Sequence, residues 1–130
     1  MKTILLIEDN IDILENLTEY LELEGYKIIT ANNGKSGVQL AKVFIPDLII
    51  CDTLMPGMDG YEVLRLLMET ATTADIPFIF NTSNSENIDR EKALQLGADG
   101  YIVKPFEVEA LLKMIKASIK SGSTVQIRIS

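Results

Sequence analysis

Hydrophobic residues along this chain follow two alternating rhythms. Short apolar runs stand at 3–7 (TILLI), 26–30 (YKIIT), 47–52 (DLIICD), 76–82 (IPFIFNT) and 100–103 (GYIV). Their length, with polar residues or glycine at the borders, predicts strands. Between them the apolar positions recur every three or four residues. Ile11, Leu14, Leu17 and Leu21, with Glu15, Glu19 and Glu22 opposite, predict an amphipathic helix. Asp9 or Asn10 supplies its N-cap and Gly25 its stop. Val38, Leu40, Ala41 and Phe44 predict a shorter helix over 35–44, ended by Pro46. A third begins at Tyr61–Met68 with Val63, Leu64 and Leu67 inward, and Ile88, Ala93, Leu94 and Leu96 predict a fourth ending at Gly97. Val108, Leu111, Leu112, Ile115 and Ile119 share one side of a fifth over 107–119.

Strands alternating with helices imply βαβ units, hence an α/β, doubly wound fold with a parallel sheet covered on both faces. The near-continuous apolarity of the strands agrees, because parallel strands are buried on both sides. One domain is expected, over residues 1–120. The last ten residues, SGSTVQIRIS, are a polar hinge and a weakly alternating stretch. They are expected to form a tail or the stub of a longer chain, with an added edge strand or a partner contact as the alternative.

Composition narrows the function. At 130 residues, 47% hydrophobic and 24% charged, the chain has the make-up of an ordinary globular domain. No apolar run approaches the roughly 18–20 residues a membrane span needs. The N-terminus meets acids too early for a signal peptide. One cysteine, Cys51, leaves no intrachain disulfide or thiolate cage, so a cytoplasmic setting is expected. A net charge of −7 argues against a nucleic-acid surface. The chain has no histidine, which removes Ser-His and Cys-His catalysis, histidine metal ligation and a phosphohistidine on this chain.

In a doubly wound sheet, ligands sit beyond the carboxyl ends of the strands. The residues at those ends are Glu8 and Asp9, Asp52, Thr82 and Lys104. Three acids drawn together repel one another unless a hard cation such as Mg²⁺ joins them. Asp52 could then attack phosphorus to give an aspartyl phosphate, with Lys104 and Thr82 serving the transferring oxygens. Any one of these acids alone would read as a helix cap; five polar groups at four strand ends read as a site.

These residues resemble a response-regulator receiver domain of two-component signalling. The resemblance covers about residues 1–120 and rests on LLIEDN, DTLMPGMDG, Thr82-Ser83 in FIFNTS, and Lys104-Pro105-Phe106 in GADGYIVKPF. It implies a (βα)5 three-layer sandwich with strand order 2-1-3-4-5 and Asp52 as the phosphoacceptor. It implies Mg²⁺ (or Mn²⁺) on Glu8, Asp9, Asp52 and the backbone carbonyl of Leu54, and Lys104 on the phosphoryl group before a cis Pro105. Thr82 and Tyr101 would form the switch pair. The donor would be a histidine kinase or phosphotransfer protein, and the output a downstream protein target or a fused domain, with a monomer or a phosphorylation-dependent dimer. Neither direct nucleic-acid binding nor membrane binding is expected. The protein would be a switch that catalyses its own phosphorylation and dephosphorylation, not a metabolic enzyme.

Some residues depart from the family's usual pattern. Asn81 stands where an apolar residue is common, and Leu54 and Asn84 border the phosphoryl position. Leu54 is expected to disfavour alignment of an attacking water and so to slow hydrolysis. Gly57 and Gly60 fit a turn needing positive φ or close backbone approach, and Asp59 reads as a turn former or helix cap. Glu86, Asp89, Arg90, Glu91 and Lys92 read as the solvated face of the fourth helix, and Met55, Met58 and Met68 as packing. A flavodoxin-like module would need a phosphate-friendly first loop, whereas EDNID is acidic. A haloacid-dehalogenase-type phosphatase would need an acid at the position of Leu54. A receiver-shaped binding module that works without phosphorylation stays open.

Overall fold

The computed structural model describes residues 1–82, 90–104 and 107–129, with the backbone alone at 90 and 120–129. Ile88, Ser83, Asn84, Glu86, Asp89, Pro105 and Phe106, which carried expectations above, lie outside the described residues. In chain order the elements are β1 (Thr3–Ile7), α1 (Ile11–Leu23), β2 (Lys27–Ala31), α2 (Gly34–Phe44) and β3 (Leu48–Asp52). There follow α3 (Gly60–Met68), β4 (Phe78–Thr82), α4 (Arg90–Leu96), β5 (Gly100–Val103) and α5 (Val108–Ile129). The strands form one five-stranded sheet in the order β2-β1-β3-β4-β5, with every described pairing parallel. Fold class and strand order are those the sequence implied.

Alternation along the strands divides the interior in two. Leu5, Ile7, Ile49, Cys51, Phe78 and Phe80 face a core completed by α2, α3 and α4 through Val38, Ala41, Val63, Leu64, Leu67 and Ala93. Ile4, Leu6, Leu48, Ile50, Ile79 and Ile102 face a second core under α1 and α5, completed by Leu14, Leu17, Leu21, Leu111 and Ile115. Residues 48–52 of β3 are buried throughout, as befits a central parallel strand.

Local chemistry sets the ends. The Asn10 side chain accepts from the Ile13 amide at 3.1 Å and caps α1; Gly25 (φ +97°) lets the chain leave. Asp59 caps α3 by accepting from the Glu62 amide at 2.9 Å. After α2, Ile45 takes φ 45°, the left-handed region. The helical region is disfavoured before Pro46, so the chain must turn there. Phe44 and Leu94, read as members of the apolar helix faces, are 55% and 67% exposed.

The backbone of α5 stays helical to Ile129, so residues 121–129 add no strand to the sheet. Three alternating apolar residues are too short a signal to impose a strand. Gly122 costs a helix only about 1 kcal/mol relative to alanine, and no proline follows to stop it.

Candidate functional site

The site grows from the carboxyl ends of four adjacent strands. Glu8 extends β1 by one residue, its amide donating to the Ala31 carbonyl at 3.0 Å. Asp52 is the last residue of β3, and the register pairs it with Asn81 of β4, which in turn pairs with Ile102 of β5. Lys104 follows β5, its amide donating to the Thr82 carbonyl at 2.6 Å. Strand twist and pleat therefore bring residues nearly a hundred positions apart onto one edge.

The side chains converge there. Carboxylate oxygens of Glu8, Asp9 and Asp52 all lie within 4.8 Å of one another, with Glu8 and Asp52 buried and Asp9 exposed. The Lys104 ammonium donates to Glu8 Oε1 at 2.7 Å and stands 3.7 Å from Asp52 Oδ2. Glu8 Oε2 accepts from the Asn10 amide at 3.2 Å, and Asp52 Oδ1 from the Leu54 amide at 3.3 Å. At an effective dielectric near 20, two such carboxylates at this separation repel by about 3 kcal/mol. Burial pushes the Glu8 carboxyl above its ordinary 4.5; the Lys104 hydrogen bond opposes that, and neighbouring Asp52 adds to it. Burial likewise pushes the Cys51 thiol, directly behind Asp52, well above 9.0, so it stays protonated and apolar in behaviour.

The donor set suits a hard divalent ion: three carboxylates, no sulfur, no imidazole. Such an ion has a competitor already in place, because the Lys104 ammonium holds Glu8.

The loop after Asp52 is folded back against it. Gly57 has φ +79°, and the Gly60 amide donates to the Thr53 carbonyl at 2.9 Å. Gly60 packs so close that a Cβ there would overlap the Asp52 carbonyl oxygen. The two glycines thus serve the two needs read for them, positive φ at one and close approach at the other. Asp59 is an α3 cap, apart from the acidic cluster. Leu54, two residues beyond Asp52, exposes 54% of its surface. Thr82 is buried at the end of β4, and Tyr101 is half-buried against the α2–α4 core. Met55 and Met58 pack with that core, as expected, while Met68 is 40% exposed.

Sequence reasoning did not foresee two features. The backbone amide of Asn10 steadies Glu8, a role no side-chain pattern announces. Asn81, 2% exposed, has its Oδ1 without a hydrogen-bond partner, a state not found for any other buried side-chain polar atom among the described residues. Such an orphaned group costs about 1–3 kcal/mol.

Comparison with known proteins places the chain in a family. Residues 4–116 match the response regulator receiver domain family, and the chain belongs to it. Protein PilH of Pseudomonas aeruginosa is 37% identical over 117 residues, covering 90% of this chain and 97% of PilH. The phosphate regulon transcriptional regulatory protein PhoB of the same organism is 36% identical over 119 residues, 92% of this chain and 52% of PhoB. The chain thus spans nearly all of one relative but only about half of the transcriptional regulators it matches. Among solved structures, the Vibrio cholerae chemotaxis protein CheY4 superposes with a TM-score of 0.86 at 29% identity, over 91% of this chain and 98% of that one. The receiver domain of a Syntrophus aciditrophicus histidine kinase gives 0.85 at 36% identity, over 93% and 92%. No helix among the described residues is long and apolar enough to cross a membrane.

Proposed function

We propose that the protein is a phosphorylation-driven signalling switch in which Asp52 accepts a phosphoryl group from a histidine kinase or phosphotransfer protein. The observation that carries this is the Lys104 ammonium held between Glu8 and Asp52. That cation stands where negative charge develops on the transferring oxygens. An Asp52 oxygen attacks phosphorus, the donor's P–N bond breaks, and the electron pair leaves with the imidazole nitrogen, which takes up a proton. With a small acyl phosphate, a P–O bond breaks and the carboxylate departs. Glu8, Asp9, Asp52 and the Leu54 carbonyl would hold Mg²⁺ or Mn²⁺, which supplies neutralisation of the acidic pocket and of the incoming phosphoryl oxygens.

Thr82, one residue beyond Asn81, would donate to a phosphoryl oxygen, and Tyr101 would follow inward as the second half of the switch. The phosphoryl group adds up to about two negative charges and three acceptors. It can shift the protein between two states only through differential contacts with each. The receiving unit is taken as residues 1–120, with a downstream target or a further domain reading its changed face.

Intact mass after incubation with Mg²⁺ and acetyl phosphate tests this. A gain of about 80 Da that is absent from Asp52→Asn and without Mg²⁺ is the expected outcome. No gain, even with a phosphorylated kinase, would leave a receiver-shaped binding module.

A further inference from the structure

The strand order gives Asn81 a position no other residue has. Glu8, Asp52 and Lys104 follow β1, β3 and β5, and β4 lies between β3 and β5. Neighbouring strands are about 4.8 Å apart, so β5 stands roughly 10 Å from β3 and 14 Å from β1. For its ammonium to reach Glu8 at 2.7 Å and Asp52 at 3.7 Å, the Lys104 side chain must cross the end of β4. The residue of β4 in register with Asp52 is Asn81.

Alternation places Asn81 on the same face as Ile79 and Ile102, the face that carries the even-numbered Leu6 and Ile50 and, beyond them, Glu8 and Asp52. The strand end that the lysine crosses thus carries, on the same face, a buried amide whose oxygen has no partner. An ammonium has three donors and no acceptor. Among the described residues, Lys104 Nζ has one hydrogen bond, to Glu8, and one longer ion pair, to Asp52.

We propose that Asn81 is a positioning residue, a second acceptor for Lys104. With Glu8 engaged on a divalent cation, the Lys104 ammonium would turn to Asn81 Oδ1 instead of being stranded among buried groups. The unpaired Asn81 oxygen is the acceptor held ready for that exchange. This rests on the acidic cluster being a cation site, which is part of the reading above. It goes beyond that reading by assigning a role to Asn81, which is not among the groups placed on the ion or the phosphoryl.

The test is a set of Mg²⁺ dissociation constants from calorimetric titration of the unphosphorylated protein, beside thermal unfolding without Mg²⁺. Asn81→Leu, near in volume and without the acceptor, should weaken Mg²⁺ binding by about tenfold, as expected for one hydrogen bond to a charged group. Its unfolding midpoint without Mg²⁺ should not fall, since an unpaired polar atom has been removed. In a Lys104→Met background, the same substitution should leave the Mg²⁺ constant within twofold, because no ammonium needs a new partner. Asn81→Val repeats the comparison should the leucine variant not fold. An unchanged constant in the Lys104 protein, or an equal loss in both backgrounds, would overturn the proposal. A parent protein that binds no Mg²⁺ would overturn it together with the cation site. Mg²⁺ binding that is normal while acetyl phosphate adds no mass would instead overturn the phosphoacceptor reading and leave Asn81 to stand or fall on its own constants.

Discussion

Gly60→Ala is the sharpest way to ask whether the loop behind Asp52 positions the acceptor. An ideal Cβ at residue 60 would overlap the Asp52 carbonyl oxygen and lie 3.0 Å from both the Asp52 carbonyl carbon and Thr53 Cα. Non-bonded carbons ordinarily sit about 3.5–4.0 Å apart, and every obstacle is backbone, so no rotamer can yield. Either the start of α3 or the end of β3 must retreat, by something near 1 Å. Overpacking of this kind costs about 1–3 kcal/mol. For a domain of this size that is a fall in melting temperature of roughly 5–10 °C. The functional loss should be larger, because a misplacement near 1 Å can cost about 10²-fold in a reaction that depends on alignment. Gly57→Ala is the control: φ is +79° but nothing lies within 4 Å of the added carbon, so only about 1–2 kcal/mol of backbone strain is incurred. Thermal unfolding by circular dichroism and the rate of mass gain with acetyl phosphate report the two effects. If Gly60→Ala phosphorylates as fast as Gly57→Ala, the close approach does not position Asp52 and the reasoning fails.

Three further expectations follow from the same contacts. Leu54→Asn should speed phosphoryl loss several-fold by offering a polar group to an attacking water, and decay no faster than the parent's would refute the slow-hydrolysis assignment. Asp59→Ala removes the acceptor for the Glu62 amide; its urea midpoint should fall by the equivalent of about 1 kcal/mol with the slope unchanged. Asp99, an exposed residue, accepts from the Phe78 amide at 2.7 Å through a part-buried carboxylate; that partial burial, the larger effect, raises its carboxyl above the ordinary 3.8 while the bond lowers it. A raised folded value means the native state holds the proton more tightly, so this contribution is complete below 3.8 and is lost as pH rises through the folded value. Asp99→Asn, which keeps an acceptor for Phe78, should flatten that part of the stability–pH curve; an identical slope in both proteins would refute the assignment.

The parts legible in the sequence are those set by local pattern and by the chain's order. Short apolar runs located β1 and β5, apolar residues at three- and four-residue spacing located α1, and short polar residues or glycine marked Asn10, Asp59 and Gly25 as boundaries. The acids at the ends of β1 and β3 were legible because a parallel sheet leaves strand-end residues at one edge. What escaped depends on distance and depth. Nothing in the spacing says that Lys104 would bridge to Glu8 and not only to Asp52, since that follows from strand order and side-chain reach. Asn81 was visible as an oddity, but its missing partner is a property of three-dimensional burial. Phe44 and Leu94 read as core from periodicity alone, whereas the neighbouring elements are too far away to cover them. The continuation of α5 was hidden because Ser121, Gly122 and Ser123 look like a hinge while no residue in the segment forbids a helix.

The sheet that separates the two cores also sorts what passes through it. Asn81 and Thr82 are consecutive in β4, yet alternation turns one toward the layer of α1 and α5 and the other toward the layer of α2, α3 and α4. On the proposed reading, a charge added at Asp52 would be met on one face of the sheet by Asn81, through Lys104, and on the other by Thr82. The strand would then be a fork, the answer to the cation on one branch and the outward message on the other.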